Sequence, residues 1–323
     1  MKKKTTYLWM GTIVALTAVL FTVIYFFHLQ DNAIKVASTV KGGPPALGYF
    51  IQGDLSTPLE KPMDVSKIGQ FLYVTDTNHK QIQVFDSSGT AIFKFGKQGT
   101  GQGEFQFPYG IDGDKKGNVY VADLYNGKIS IFTSKGKFIK YFTDESKKAD
   151  FLKSPGGLRI YNNSLYVTEI QSSRVIKYDL NSGKKLLELT TATGKDDTLN
   201  APNAVTIDSD KNIYVSDTGN QRLVIYDKEG KFLRIINGST DGKGESKFVN
   251  PRGIGVKSDG TLLMVDNMTH FVYGFDKDGK QVFQFGGLGS DKEQFYLPNG
   301  LFVDDKGEVF ITDTVNQRIA LYY

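Results

Sequence analysis

Six prolines, Pro62, Pro108, Pro155, Pro202, Pro251 and Pro298, recur at intervals of 46 to 49 residues and account for six of the nine in the chain. Fourteen or fifteen residues after each comes an acid in matching context: Asp76, Asp123, Glu169, Asp217, Asp266 and Asp313. Three residues before each proline stands a large apolar residue: Leu59, Phe105, Leu152, Leu199, Phe248 and Phe295. Three markers in fixed order, six times over, require six alike units, and a unit of this length cannot bury both of its faces alone.

Within a unit the hydrophobic period is two. The second copy reads "GIDGD", "NVYVAD", "KISIFT" and "FIKYFT", joined by turns such as "DKKGN" and "SKGK" in which glycine supplies the positive φ. Four short antiparallel strands per repeat predict an all-β, six-bladed β-propeller. The sixth copy runs out at Tyr323 after three strands, and "LGYFIQG" (47–53) followed by "LEKP" parallels the outermost strand of the other units. This N-terminal strand is expected to complete the last blade and close the ring, leaving no exposed edge at the seam.

These residues resemble the NHL-repeat six-bladed propellers. Blades of that family begin Pro-x-Gly-apolar, continue through apolar-x-Asp-Thr-x-Asn-x-Arg-apolar, and leave by a Gly-rich stretch leading to Phe-x-x-Pro. "PNGLFVD" (298–304), "SDTGNQRLVIYD" (216–227) and "FGKQGTGQGEFQFP" (95–108) match the three parts. The third unit departs from the pattern with "TEIQSSRV", and the fifth with "VDNMTHFV". The resemblance implies a fold more firmly than an activity.

Ahead of the repeats, residues 7–27 form an uncharged run, "YLWMGTIVALTAVLFTVIYFF", which as a helix is about 30 Å long, the thickness of a bilayer core. Lys2, Lys3 and Lys4 precede it, so residues 1–6 are expected in the cytoplasm, 7–27 as a transmembrane signal anchor, 28–45 as a linker stem and 46–323 as a propeller outside the cytoplasm. The run exceeds the apolar length of a signal peptide, and no small-x-small site follows it. The formal charge of +4 belongs to this stem: with its five lysines and single Asp31 removed, 34 basic and 34 acidic residues remain. A neutral body lacks the positive field of a nucleic-acid-binding domain.

The chain has no cysteine and only three histidines, His28, His79 and His270. Thiolate metal sites and cysteine nucleophiles are excluded, and two loop histidines cannot rebuild the multi-His zinc site of the similar amidating lyases. The six repeat acids read as structural, each taking backbone N–H groups in the turn that follows it, with Glu169 fitting that turn least well. "DGDKKGN" (112–118) imitates a calcium loop but places Lys115 at a ligand position. No cofactor or metal is therefore assigned.

A recognition surface remains. The residue after each repeat proline is expected on the loop face near the central channel, where a rigid scaffold presents its binding groups. Met63, Tyr109, Gly156, Asn203, Arg252 and Asn299 occupy this position, and unlike the other markers they differ from blade to blade. Tyr109, Tyr125, Asn203, Arg252 and Asn299 are the candidate ligand contacts. Arg252 suits a carboxylate, phosphate or glycan oxygen, and Tyr125 suits stacking. The favoured reading is a membrane-anchored module binding a protein, peptide or glycan. The alternative is a metal-dependent hydrolase or lyase, lactonase-like or amidating-lyase-like, with its site in the channel.

Overall fold

A computed structural model describes residues 43–239 and 242–323. The expected cytoplasmic residues, the membrane helix over 7–27 and the stem up to residue 42 lie outside the described residues. Among those that are described, no helix is long and apolar enough to cross a membrane.

The repeats fold as six four-stranded antiparallel sheets, five with their strands in chain order from the inside outwards and the sixth with the N-terminal strand outermost. In the second blade the strands are Pro108–Gly113, Val119–Asp123, Lys128–Phe132 and Phe138–Tyr141, the four segments that the alternation picks out. Gly117 and Gly136 in its two hairpin turns have φ of +81° and +75°. Leu47–Ile51 supplies the outermost strand of the sixth blade and pairs antiparallel with Arg318–Tyr322, with Ile51 opposite Ile319. Ala46 and Tyr323 exchange two backbone hydrogen bonds, of 3.1 and 2.9 Å, and the Arg318 guanidinium stacks 3.8 Å from the Phe50 ring centre. A small hairpin, Gly53–Asp54 with Thr57–Pro58, which the repeat pattern does not announce, fills the link to the first blade. Gln83 holds it there by a bond to the Asp54 amide and another to the Thr57 carbonyl.

The apolar marker before each proline explains how blades adhere. Leu59, Phe105, Leu152, Leu199, Phe248 and Phe295 are all buried. Each belongs to a different hydrophobic cluster, and each cluster joins two adjacent blades: Phe105 sits among Tyr73 and Val84 of the first blade and Ile111 and Phe132 of the second, and Leu59 among Val65 and Phe310 across the closing seam. Six such interfaces make one continuous ring. Truncating one of these plugs to alanine costs about 3–5 kcal/mol for a phenylalanine.

Candidate functional site

All six repeat acids are fully buried, but their principal bond is not the local turn expected of them. Each carboxylate accepts the backbone N–H of the residue two places before its own blade's proline: Glu60 to Asp76 at 2.7 Å, Gln106 to Asp123 at 2.8 Å, Lys153 to Glu169 at 2.5 Å, Asn200 to Asp217 at 2.6 Å, Val249 to Asp266 at 2.8 Å and Tyr296 to Asp313 at 2.7 Å. The acid is a clamp that ties the end of the second strand to the loop feeding the first. Bonds to the turn that follows exist as well, as from the Tyr125 amide to Asp123. Glu169 fills the role like the others, its longer side chain reaching back to Arg174. Burial pushes the Asp313 carboxyl above its usual range, against bonds from Tyr296, Asn316 and Arg318 that hold it down.

The clamps fix a loop face whose backbone is further pinned between blades. Thr75 donates to the Tyr109 carbonyl at 3.0 Å, Thr168 to that of Asn203 at 3.2 Å and Thr312 to that of Met63 at 3.3 Å, while the Ser216 hydroxyl donates to the carbonyl of Arg252. The Thr of the Asp-Thr pairs works one residue further back, with Thr77, Thr218 and Thr314 donating to the carbonyls of Pro108, Pro251 and Pro62. The carbonyls of Met63, Tyr109, Asn203 and Arg252, each the residue after a repeat proline, are thus held in place while their side chains differ.

The next position is glycine in four blades because neighbouring backbones meet there. A Cβ on Gly300 would lie 2.7 Å from the Met63 carbonyl oxygen, and one on Gly253 would lie 2.4 Å from the Leu301 nitrogen. This close approach narrows the channel to a cavity of about 20 Å³, room for about one water. Asp64 takes the glycine position in the first blade, where it accepts the amides of Val65 at 2.9 Å and Ile111 at 3.1 Å. The residue keeps some accessible surface, but it lines this narrow cavity, and burial pushes its carboxyl up to about 7 against the pull of Arg159.

On the loop face, the upper mouth brings three of the five candidates into direct contact. Arg252 donates from Nη1 to the Tyr109 hydroxyl at 3.2 Å and from Nε to Asn250 Oδ1 at 2.7 Å. Tyr109 in turn donates to Asn203 Oδ1 at 2.6 Å. Asn299 donates to the Met63 carbonyl at 2.8 Å and shares with Arg252, Lys61, Leu297 and Val315 the wall of an open cavity of about 500 Å³. Tyr109, Asn203 and Asn299 are nearly buried, so they frame the guanidinium more than they reach out. Tyr125 lies apart and is 66% exposed, its ring 4.8 Å from that of Phe107, over which Lys61 and Lys80 place their ammonium groups. Among the described residues Arg252 has no carboxylate partner.

His79 lies beside Asp76 and Glu60, at 2.9 and 3.3 Å, and His270 accepts the Leu297 amide at 3.1 Å. Among the described residues no three His, Cys, Asp or Glu side chains gather as a metal site.

Residues 55–161 match the model of the DUF5128 six-bladed β-propellers, and residues 199–226 match the NHL repeat. The chain is 29% identical over 123 residues to the protein brain tumor of Drosophila melanogaster, a stretch covering 38% of this chain and 11% of that protein. It is 48% identical over 48 residues to lin-41 of Caenorhabditis elegans, covering 15% of this chain and 4% of that one. The chain therefore spans about a tenth or less of the length of these relatives. A catalytically inactive virginiamycin B lyase from Staphylococcus aureus, solved with quinupristin, superposes with a TM-score of 0.59 at 15% identity, over 85% of this chain and 99% of that one. A protein of unknown function from Bacteroides thetaiotaomicron gives 0.60 at 16% identity, over 84% and 71%. At such identities the likeness is one of fold.

Proposed function

We propose that this chain, an NHL repeat within a six-bladed β-propeller, is a binding module that takes an anionic group of a protein or peptide ligand at its upper mouth and is held outside the cytoplasm by one N-terminal membrane helix. The observation that carries the reading is Arg252. Its guanidinium is oriented by Asn250 and Tyr109, lines a cavity of about 500 Å³, and forms no salt bridge among the described residues. Two neutral partners leave its positive charge uncompensated, and its planar fork of five donors matches a carboxylate. Leu297, Val315 and Met63 in the same wall offer apolar contact for the neighbouring residue of a peptide.

The membrane part of the proposal rests on the uncharged run 7–27 and the three lysines before it. Protease added to intact cells or spheroplasts is expected to digest the propeller and spare the extreme N-terminus. Protection of the propeller would overturn the assigned location. For the ligand, selection of displayed peptides on the chain is expected to enrich carboxylate-bearing sequences with an adjacent apolar residue. Enrichment of basic sequences, or of none, would remove the upper mouth as an anion-recognising site.

A further inference from the structure

The opposite end of the channel has a ring of its own. Four residues beyond each proline, at the far end of the innermost strands, stand Ser66, Asp112, Arg159, Thr206, Gly255 and Phe302. Around them opens a second cavity of about 440 Å³, on the face away from Arg252, with Lys257 and Asp305 further out in its wall.

Three of the four carboxylates of this wall have hydrogen-bond or ion-pair partners of their own. Asp112 accepts the Ser66 hydroxyl and the Ile160 amide, both at 2.7 Å. Asp208 accepts the Asn212 side chain at 2.8 Å and Tyr214 at 3.0 Å, and Asp304 pairs with Lys67 at 2.5 Å. Asp305 alone stays open, at the exposed rim.

The cations are in the opposite condition. Arg159 crosses the channel to lay its guanidinium 5.1 Å from the Phe302 ring centre. Its Nε and Nη1 are buried without a hydrogen-bond partner, and the nearest carboxylate oxygen, on Asp112, is 3.8 Å from Nη1, too far for a hydrogen bond. Two buried N–H groups with no acceptor carry an uncompensated desolvation cost. Lys257 is half-buried, and its ammonium finds only a distant attraction to Asp259, so burial lowers its pKa.

We infer that this lower mouth is a second binding site, for a small oxyanion, a carboxylate or phosphate group held between Arg159 and Lys257. The guanidinium of Arg159 supplies two unpartnered N–H donors, and Phe302 lies against its plane. The site shares no lining residue with the cavity of Arg252.

The test titrates the full chain by calorimetry with inorganic phosphate and, separately, with succinate, at fixed ionic strength against chloride. Saturable binding of at least one probe is expected; phosphate alone points to a phosphorylated ligand and succinate alone to a carboxylate. Measured in an Arg252→Ala background, so that the upper mouth contributes no anion binding, Lys257→Gln should weaken that binding by about tenfold, the equivalent of one lost charge-assisted contact, and Arg159→Gln should abolish it. Should Arg159→Gln fail to fold, Lys257→Gln carries the test, because that side chain sits at the cavity wall without a hydrogen-bonded partner. Absence of saturation with both probes, or equal affinity in that background with and without Lys257→Gln, would overturn the inference.

Discussion

Asp217 and Arg252 belong to consecutive blades and to opposite regimes. Asp217 is one of six copies of the same clamp, fully buried, accepting the Asn200 amide and paired with Arg222 at 2.7 Å. Arg252 holds one of six equivalent mouth positions that carry five different residue types, and it has only neutral partners. Repetition marks what the ring needs six times over to stay closed; difference marks where the closed ring can present one asymmetric surface. The scaffold and the mouths should therefore respond to mutation in opposite ways, stability moving with the one and binding with the other.

The largest effect is expected where the ring closes. Deleting residues 47–51 removes the strand paired with Arg318–Tyr322, buried Ile51 and the stacking on Phe50, and leaves a free edge. The variant should lose several kcal/mol of stability or aggregate, whereas removal of residues 1–41 should leave a folded, soluble domain. Similar denaturation curves for the two truncations would break the assignment of that strand.

Next comes the clamp. Asp217→Ala leaves the Asn200 amide without an acceptor and Arg222 with Asp197 as its one remaining ion-pair partner, a loss of about 1–3 kcal/mol that urea denaturation would register. A loss below about 1 kcal/mol would mean that the acid is a local turn residue after all, and the contrast with Arg252 would lose its basis.

Asp64 sharpens the comparison, because it is the one channel residue that breaks the small-residue rule. Its carboxyl is raised from 3.8 to about 7 when folded, so the native state binds the proton more tightly than the unfolded chain does. By linkage, this group makes stability fall as pH rises from about 4 to about 7 and adds no further change above. The slope amounts to roughly 4 kcal/mol over that window at the most. Asp64→Asn should flatten it. An unchanged pH profile in the variant would assign the slope to other groups.

The fold was legible in the sequence because its markers act through space in the same way six times. A buried plug before each proline, a proline at each innermost strand and an acid at the end of the next strand leave a periodic trace. The clamp's real partner was not legible, since a backbone amide sixteen or so residues upstream has no residue-type signature. The upper mouth was legible in part. Position put Arg252, Tyr109 and Asn203 on one loop face near the channel, but not that Tyr109 bonds to both of the others or that Tyr109 and Asn203 are nearly buried. The lower ring went unnoticed because Arg159 lies within "GGLRIY", where alternation alone makes it an ordinary strand residue. The signal that could have found it is the register itself: counting two and four residues on from each proline exposes Asp64 among glycines and alanine, and Arg159 among Ser66, Asp112, Thr206, Gly255 and Phe302.

The most direct measurement pairs affinity with stability in the same two variants. With a carboxylate-bearing peptide selected on the wild-type chain as probe, Arg252→Ala should weaken binding by about tenfold or more and leave the thermal midpoint nearly unmoved. Asp217→Ala, assayed below its lowered midpoint, should bind within about threefold of wild type, a difference worth less than 1 kcal/mol. If Arg252→Ala bound as tightly as wild type, or lost stability in proportion to its loss of binding, the separation of clamp from mouth on which the account rests would be contradicted.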